Sequence, residues 1–212
     1  MKIAIPIYDH FAALDAVGPY EVLVKLPNTT VHFVAAEPGP KRTEQGTLAL
    51  TADLALDEFP DPDVVVVPGG AGTRPLIDDE HMLGWLRRAH ETSTWTTSVC
   101  TGSILLAAAG LLGGLEATTH WMVLDVLARY GAIPVSRRVV EHPEARIITA
   151  AGVSAGIDMA LTLAARIAGD DVAQAIQLGI EYDPQPPFDS GSLAKAPAAI
   201  VELVRGNAGT FA

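Results

Sequence analysis

A single cysteine in 212 residues leaves no partner for an intrachain disulfide, so the staple of small secreted domains is excluded. Basic residues are scarce as well: 14 Lys and Arg stand against 25 Asp and Glu, for a net charge of −11. Phosphate would be repelled and no basic stripe is visible, which argues against a nucleic-acid partner. No apolar run approaches the ~20 residues of a membrane-spanning helix. The opening Met1-Lys2-Ile3-Ala4-Ile5-Pro6 is too short and too soon broken for a signal peptide. Together these absences predict a cytoplasmic protein with no membrane partner. His10, His32, His81, His90 and His142 show no metal-ligand spacing, and no metal or cofactor is expected. Asp78-Asp79-Glu80 reads as a helix start rather than a carboxylate site.

What the chain has is apolar residues, 49% of the total, enough to build the core of one large α/β domain. Strands and helices alternate. Lys2 to Tyr8 is a first strand, and Gly18-Pro19 opens a helix that runs to about Lys25, Pro19 suiting its first turn. Thr30 to Ala36 is a second strand, followed by a loop at Glu37-Pro38-Gly39-Pro40. Leu48 to Leu56 alternates like part of a hairpin. Asp63 to Val67 is continuously apolar, as in a parallel strand buried on both faces. Pro68-Gly69-Gly70-Ala71-Gly72 ends it. A helix near Glu80 to Glu91, a strand from Trp95 to Val99 and a helix after Cys100 follow. Further on come a helix near Met122 to Arg129, short strands near Ile133, Val139 and Ile147, and helices over 155–167 and 171–178. This order predicts one doubly wound, mostly parallel sheet flanked by helices. A single domain over 1–212 is expected, its tail (183–212) carrying a surface loop and a short helix near Ala198 to Val204.

In such sheets ligands bind at the carboxyl ends of strands. Three features fall on that edge. Cys100 sits at a strand-to-helix junction, which can force a nucleophile into a strained, exposed turn. There the N–H groups and macrodipole of the helix favour thiolate, and a pKa below the free value of ~8.5 is expected. Gly69-Gly70-Ala71-Gly72 offers backbone N–H groups for an anion or oxyanion, Gly70 and Ala71 foremost. Asp15 follows the first strand, where it is a catalytic carboxyl group or a helix cap.

These strings resemble the ThiJ/PfpI superfamily, also described as class I glutamine amidotransferase-like. The shared residues are Val66-Val67-Pro68-Gly69-Gly70, the Cys100 turn, Ala109-Gly110-Leu111-Leu112 and Ala117-Thr118-Thr119-His120. Leu14-Asp15-Ala16-Val17-Gly18-Pro19, Ser98-Val99-Cys100-Thr101-Gly102-Ser103, Ala155-Gly156-Ile157-Asp158 and Glu181-Tyr182-Asp183-Pro184 are most similar to the branch that hydrates isocyanides. The resemblance implies a flavodoxin-like fold, a homodimer, and a cofactor-free lyase that converts a small isocyanide and water to an N-substituted formamide. In it Cys100 forms a covalent thioimidate, Asp15 is general acid and base, and Thr101 contributes a hydroxyl or N–H. Val153 lines the pocket or packs against the Cys100 helix. His120 is a structural histidine or a substrate-binding one.

Two departures narrow the choice. Proteases of the superfamily carry His after the nucleophile; here Thr101 stands there and cannot act as a base at neutral pH. Glyoxalase-like and deglycase-like branches use a Glu beside the sulfur, and Glu21 is the available residue. The other alternative is a ligand or redox sensor, related to the sensory half of AraC-type regulators.

Overall fold

The computed structural model describes residues 1–211. They divide into two compact units, Met1–Ile180 and the segment from residue 181 on. In the first unit the strands are β1 (Lys2–Pro6), β2 (Thr30–Ala35), β3 (Gly39–Arg42), β4 (Ala49–Ala52), β5 (Leu54–Ala55), β6 (Val64–Val67), β7 (Trp95–Val99), β8 (Glu116–Ala117), β9 (Ile133–Pro134), β10 (Val139–His142) and β11 (Ile147–Ala150). Its helices are α1 (Ala13–Leu23), α2 (Thr73–Leu76), α3 (Glu80–Thr92), α4 (Gly102–Ala108), α5 (Ala155–Ala168) and α6 (Asp170–Gly179). The second unit holds α7 (Ala198–Gly206) and α8 (Ala208–Phe211).

Seven strands form the main sheet in the order β10-β11-β7-β6-β1-β2-β5. All neighbours are parallel except β10 and β11. Val64 to Val67 are fully buried, as a central strand covered on both faces requires. Helices α1, α5 and α6 pack into one layer, and α3 with α4 into another. From β1 the chain passes through α1 to β2 on one side, then returns to place β6 on the other. The switch point of the sheet therefore lies between β1 and β6, where open α/β sheets form their ligand crevice.

The first helix starts earlier than the sequence suggests. It begins at Ala13, so Gly18 and Pro19 lie inside it and Asp15 falls in its first turn. A proline inside a helix removes its own N–H and the bond to the carbonyl four residues back, here that of Asp15. Burial of Ala16, Pro19, Val22 and Leu23 on the sheet offsets that loss. Asp15 is not a cap either: the N-cap is Ala12. Gly39 and Pro40, expected in a loop, instead begin β3, which pairs antiparallel with β4. Pro40 is tolerated because this ribbon has only two strands. The segment Trp121–Tyr130 is 3₁₀ rather than α-helical, and Val123 breaks it with φ −127°.

Close approach at the centre dictates glycine at 102. A Cβ there would stand 2.1 Å from the carbonyl oxygen of Val67 and 2.8 Å from that of Pro68. Both are backbone atoms that cannot swing away. Gly102→Ala should lower stability by about 3 kcal/mol or more, at the upper end for overpacking. Gly113→Ala, with nothing within 4 Å of the added methyl, should change it little. Equilibrium urea unfolding of both variants checks this, and equal midpoints would contradict it.

Candidate active site

Register builds the site. Val99 ends β7 opposite Ala150, the end of β11, while Val67 of β6 pairs with Ser98. Cys100 thus leaves the sheet between two strand ends. It does so with φ +55°, in the left-handed region that non-glycine residues seldom enter. The turn is clamped at every polar backbone atom. Its N–H is shared by the carbonyls of Ala150 and Ala151, both at 3.1 Å. Its carbonyl accepts from the Thr119 hydroxyl at 2.8 Å, the Ser103 hydroxyl at 3.1 Å and the Ser103 N–H at 3.3 Å. The strain of the turn, of order 1–3 kcal/mol, is held by these bonds. Beyond β11, Val153 has φ +40°, a rarer conformation still for a β-branched residue. Its N–H and that of Thr101 both donate to the Cys100 sulfur.

Asp15 is completely buried. Its Oδ2 accepts the Gly69 N–H at 2.9 Å, and its Oδ1 has no partner among the described residues. Burial, first, and the Glu44 charge raise its pKa to about 7, while bonds from Gly69 N–H and from Cys100 oppose the rise. The Cys100 thiol is also pushed up, by burial and then by the Asp15 charge, more than the N–H groups of Thr101 and Val153 lower it. The expected thiol pKa below the free value is thus reversed. Helix α4 has only seven residues, and burial beside a carboxylate outweighs its dipole. Thiol and carboxyl titrate as one pair, holding a single proton between them above about pH 7.

The glycine loop serves this pair differently from expectation. The Gly70 N–H donates to Thr101 Oγ1 at 2.8 Å and the Ala71 N–H to Glu44 Oε1 at 2.7 Å. Neither is free for an oxyanion. Thr101 Oγ1 also donates to the Gly70 carbonyl at 3.2 Å, so its hydroxyl ties the loop to the Cys100 turn. The available donors at the sulfur are the N–H groups of Thr101 and Val153. Gly69 permits the closeness: a Cβ there would lie 2.5 Å from Thr101 N and 2.9 Å from Asp15 Oδ2.

Other sequence candidates separate cleanly. Glu21 is exposed on α1 and its carboxylate is 3.9 Å from Lys25 Nζ, away from the buried pair. His120 accepts the Met122 N–H through Nδ1 and packs its ring against Gly152. Burial lowers its pKa, which favours the neutral ring. Sequence reasoning missed two groups. Tyr8, buried, donates its hydroxyl to the Pro68 carbonyl at 2.5 Å, and the charges of Asp15 and Cys100 bear on it. Its place just past β1 was the available signal. Glu44, at the turn between β3 and β4, reaches the site only through the tertiary fold. Among the described residues no group of three or more His, Cys, Asp or Glu side chains is gathered to hold a metal. No helix among them is long and apolar enough to cross a membrane.

The mostly parallel sheet and the sequence that builds it match a known class. Residues 1–166 match the DJ-1/PfpI family, and the chain belongs to it. It is 45% identical over 208 residues to the isonitrile hydratase of Pseudomonas putida, covering 98% of this chain and 90% of that protein. The transcriptional regulator CdhR of Pseudomonas aeruginosa is 33% identical over 144 residues, which span 67% of this chain and 42% of the regulator. Among solved structures, a ThiJ/PfpI family protein from Pseudomonas syringae superposes with a TM-score of 0.90 at 37% identity, over 97% of this chain and 86% of that one. Drosophila melanogaster DJ-1beta shares the fold at a TM-score of 0.77.

Burial of Asp15 has a price in stability with a definite pH dependence. Its folded pKa lies above the unfolded one, so the folded state binds the proton more tightly. The penalty is absent below about pH 4, grows as pH rises, and is complete above about pH 7, at about 4 kcal/mol. Asp15→Asn keeps an acceptor for Gly69 and removes the charge. It should stabilise the protein at pH 8 and much less at pH 5. Urea unfolding at the two pH values measures this; an equal effect at both would contradict the buried charge.

Proposed function

We propose that this protein is an isocyanide hydratase, converting an isocyanide and water to an N-substituted formamide at the Cys100–Asp15 pair. The observation that carries the reading is the Asp15 carboxyl group, buried beside the only thiol with one oxygen unpartnered. The 45% identity to an isonitrile hydratase across nearly the whole chain supports it.

The isocyanide carbon is carbene-like: it needs a nucleophile and a proton on the same atom. The Cys100 sulfur attacks that carbon. The thiol proton passes to the carboxylate and on to the carbon, giving the thioimidate R–N=CH–S–Cys100. Water then adds to the C=N bond, its oxygen to carbon and one hydrogen to nitrogen, with Asp15 taking and returning the proton. The C–S bond breaks, the second hydrogen of water ends on the sulfur, and R–NH–CHO leaves. One difficult addition becomes two easier ones, with one carboxyl group acting as base and acid in turn. The N–H groups of Thr101 and Val153 stabilise charge on the sulfur as it attacks and as it departs. The Thr101 hydroxyl and Gly70 act as positioning groups, and the Val153 side chain, part exposed, faces substrate. His120 is structural. No step calls for a metal or cofactor. The expectation of a homodimer is kept as part of this reading.

A second reading is ligand sensing without turnover, favoured by the likeness to the regulator CdhR. A panel of alkyl and aryl isocyanides separates the two. Formamide release supports the hydratase; a stable Cys100 adduct without release supports the sensor.

Asp15→Asn should lower kcat/KM by ~10²–10⁴-fold, the usual worth of general acid–base catalysis. Cys100→Ala should abolish turnover. With both groups protonated, the thiol has no base to receive its proton, so kcat/KM should rise with pH through about 7, the Asp15 value. That limb should vanish in Asp15→Asn. Near wild-type turnover by Asp15→Asn would remove Asp15 from the mechanism.

A further inference from the structure

The tip of the β3–β4 ribbon is fixed against the segment that leads into α1. The His10 N–H donates to the Arg42 carbonyl at 2.7 Å, the Arg42 N–H to Asp9 Oδ1 at 2.9 Å, and the Glu44 N–H to the Phe11 carbonyl at 3.1 Å. Thr43 and Phe11 form a parallel bridge. This docking holds the half-buried Glu44 carboxylate on the Ala71 N–H, one residue from the Gly70 that Thr101 ties to the Cys100 turn. Glu44, itself part exposed, therefore stands at the rim of the site.

Its charge is uncompensated. Among the described residues no Lys, Arg or His forms an ion pair with it. Arg42, two residues away, directs its guanidinium to the Gly46 carbonyl at 2.7 Å. Burial favours the neutral form of the His120 ring. The Glu44 charge is felt at Asp15, Cys100, Tyr8 and His120, so it bears on the space a ligand would occupy. Asp15 adds a second negative charge whenever it ionises.

From this geometry we infer that Glu44 is a charge filter at the rim of the Cys100 site, which admits uncharged and cationic ligands and turns away anionic ones. The substrate class follows, resting on the hydratase reading: isocyanides whose substituent carries no negative charge. Glu44 does not touch the reacting atoms in this scheme; it is a specificity residue that acts through its field.

The sole thiol makes the filter measurable without any substrate. Iodoacetamide and iodoacetate deliver nearly the same group to sulfur, one neutral and one anionic, and intact mass follows the reaction of Cys100 in the whole chain. The wild type should prefer the amide strongly. Glu44→Gln keeps an acceptor for the Ala71 N–H and loses the charge, and should shrink that preference on the order of ten-fold, as loss of a like charge at this range would. Glu44→Asp, which keeps the charge, should retain most of it. In a second arm, kcat/KM is compared for a neutral alkyl isocyanide and a carboxylate-tailed one of equal length; their ratio should fall likewise in Glu44→Gln. A preference unchanged by Glu44→Gln in alkylation overturns the filter, whatever the turnover. A filter seen in alkylation with no isocyanide turned over would leave Glu44 as assigned and overturn the hydratase reading instead.

Discussion

A carboxyl group with no exposure to water and a single hydrogen bond from the backbone is the constraint on which this site is built. Burial works against the Asp15 charge, and the one N–H from Gly69 only partly opposes it. That bond requires the backbone at residue 69 to come within contact of both Asp15 and Thr101, so no side chain fits there. The same loop is tied to Thr101 through Gly70 and to the α1 segment through the Ala12 N–H, which donates to the Gly69 carbonyl at 2.8 Å. Carboxyl group, glycine loop and cysteine turn therefore have only one mutual arrangement. Moving any of them by an ångström would strand a buried polar group, at about 1–3 kcal/mol each.

The cysteine turn adds strain to that arrangement, and the sheet register absorbs it. Two adjacent non-glycine residues in space, Cys100 and Val153, both hold positive φ. Each follows the end of one of two paired parallel strands, β7 and β11. Their strained turns aim N–H groups at the sulfur rather than along a helix axis. This local pair of donors, more than the macrodipole of a two-turn helix, offers stabilisation to charge on sulfur. The donors do not overcome burial in the resting pair, where the proton stays. In the proposed reaction their contribution would come when negative charge moves onto sulfur and no proton is available to neutralise it.

Much of this was legible from sequence, for reasons that can be stated. Val64 to Val67 announced a central parallel strand because burial on both faces removes alternation. The change from β-branched residues to helix formers at Cys100 marked the elbow. Asp79 could be read as a helix start, and it accepts the N–H groups of His81 and Met82. What failed was local reasoning about tertiary effects. Pro19 looked like a helix opening, whereas its burial outweighs one lost backbone bond. Gly70 and Ala71 looked like free donors, but other side chains take their N–H groups. Glu44 lay beyond reach because Thr43-Glu44-Gln45-Gly46 carries only a turn signal. Its place depends on a ribbon docking onto residues 9–11, a contact with no local pattern.

The electrostatics also bear on what kind of reaction suits the site. Two carboxyl groups and a thiol are gathered with no ion-paired cation beside them among the described residues. Hydrolysis of an ester or amide builds an oxyanion and ends in a carboxylate, which such a site would oppose at both stages. Hydration of an isocyanide starts from a neutral molecule and ends in a neutral formamide. Each step of that proposed route moves a proton together with the bond it balances, so no net charge need accumulate on the substrate. A buried pair that shares one proton is suited to this: it can lend the proton to carbon and recover it from water without ever carrying two charges. The raised pKa of Asp15, a liability for stability, is in that route what makes its carboxylate basic enough to take the thiol proton and, once protonated, able to give it to carbon near neutral pH.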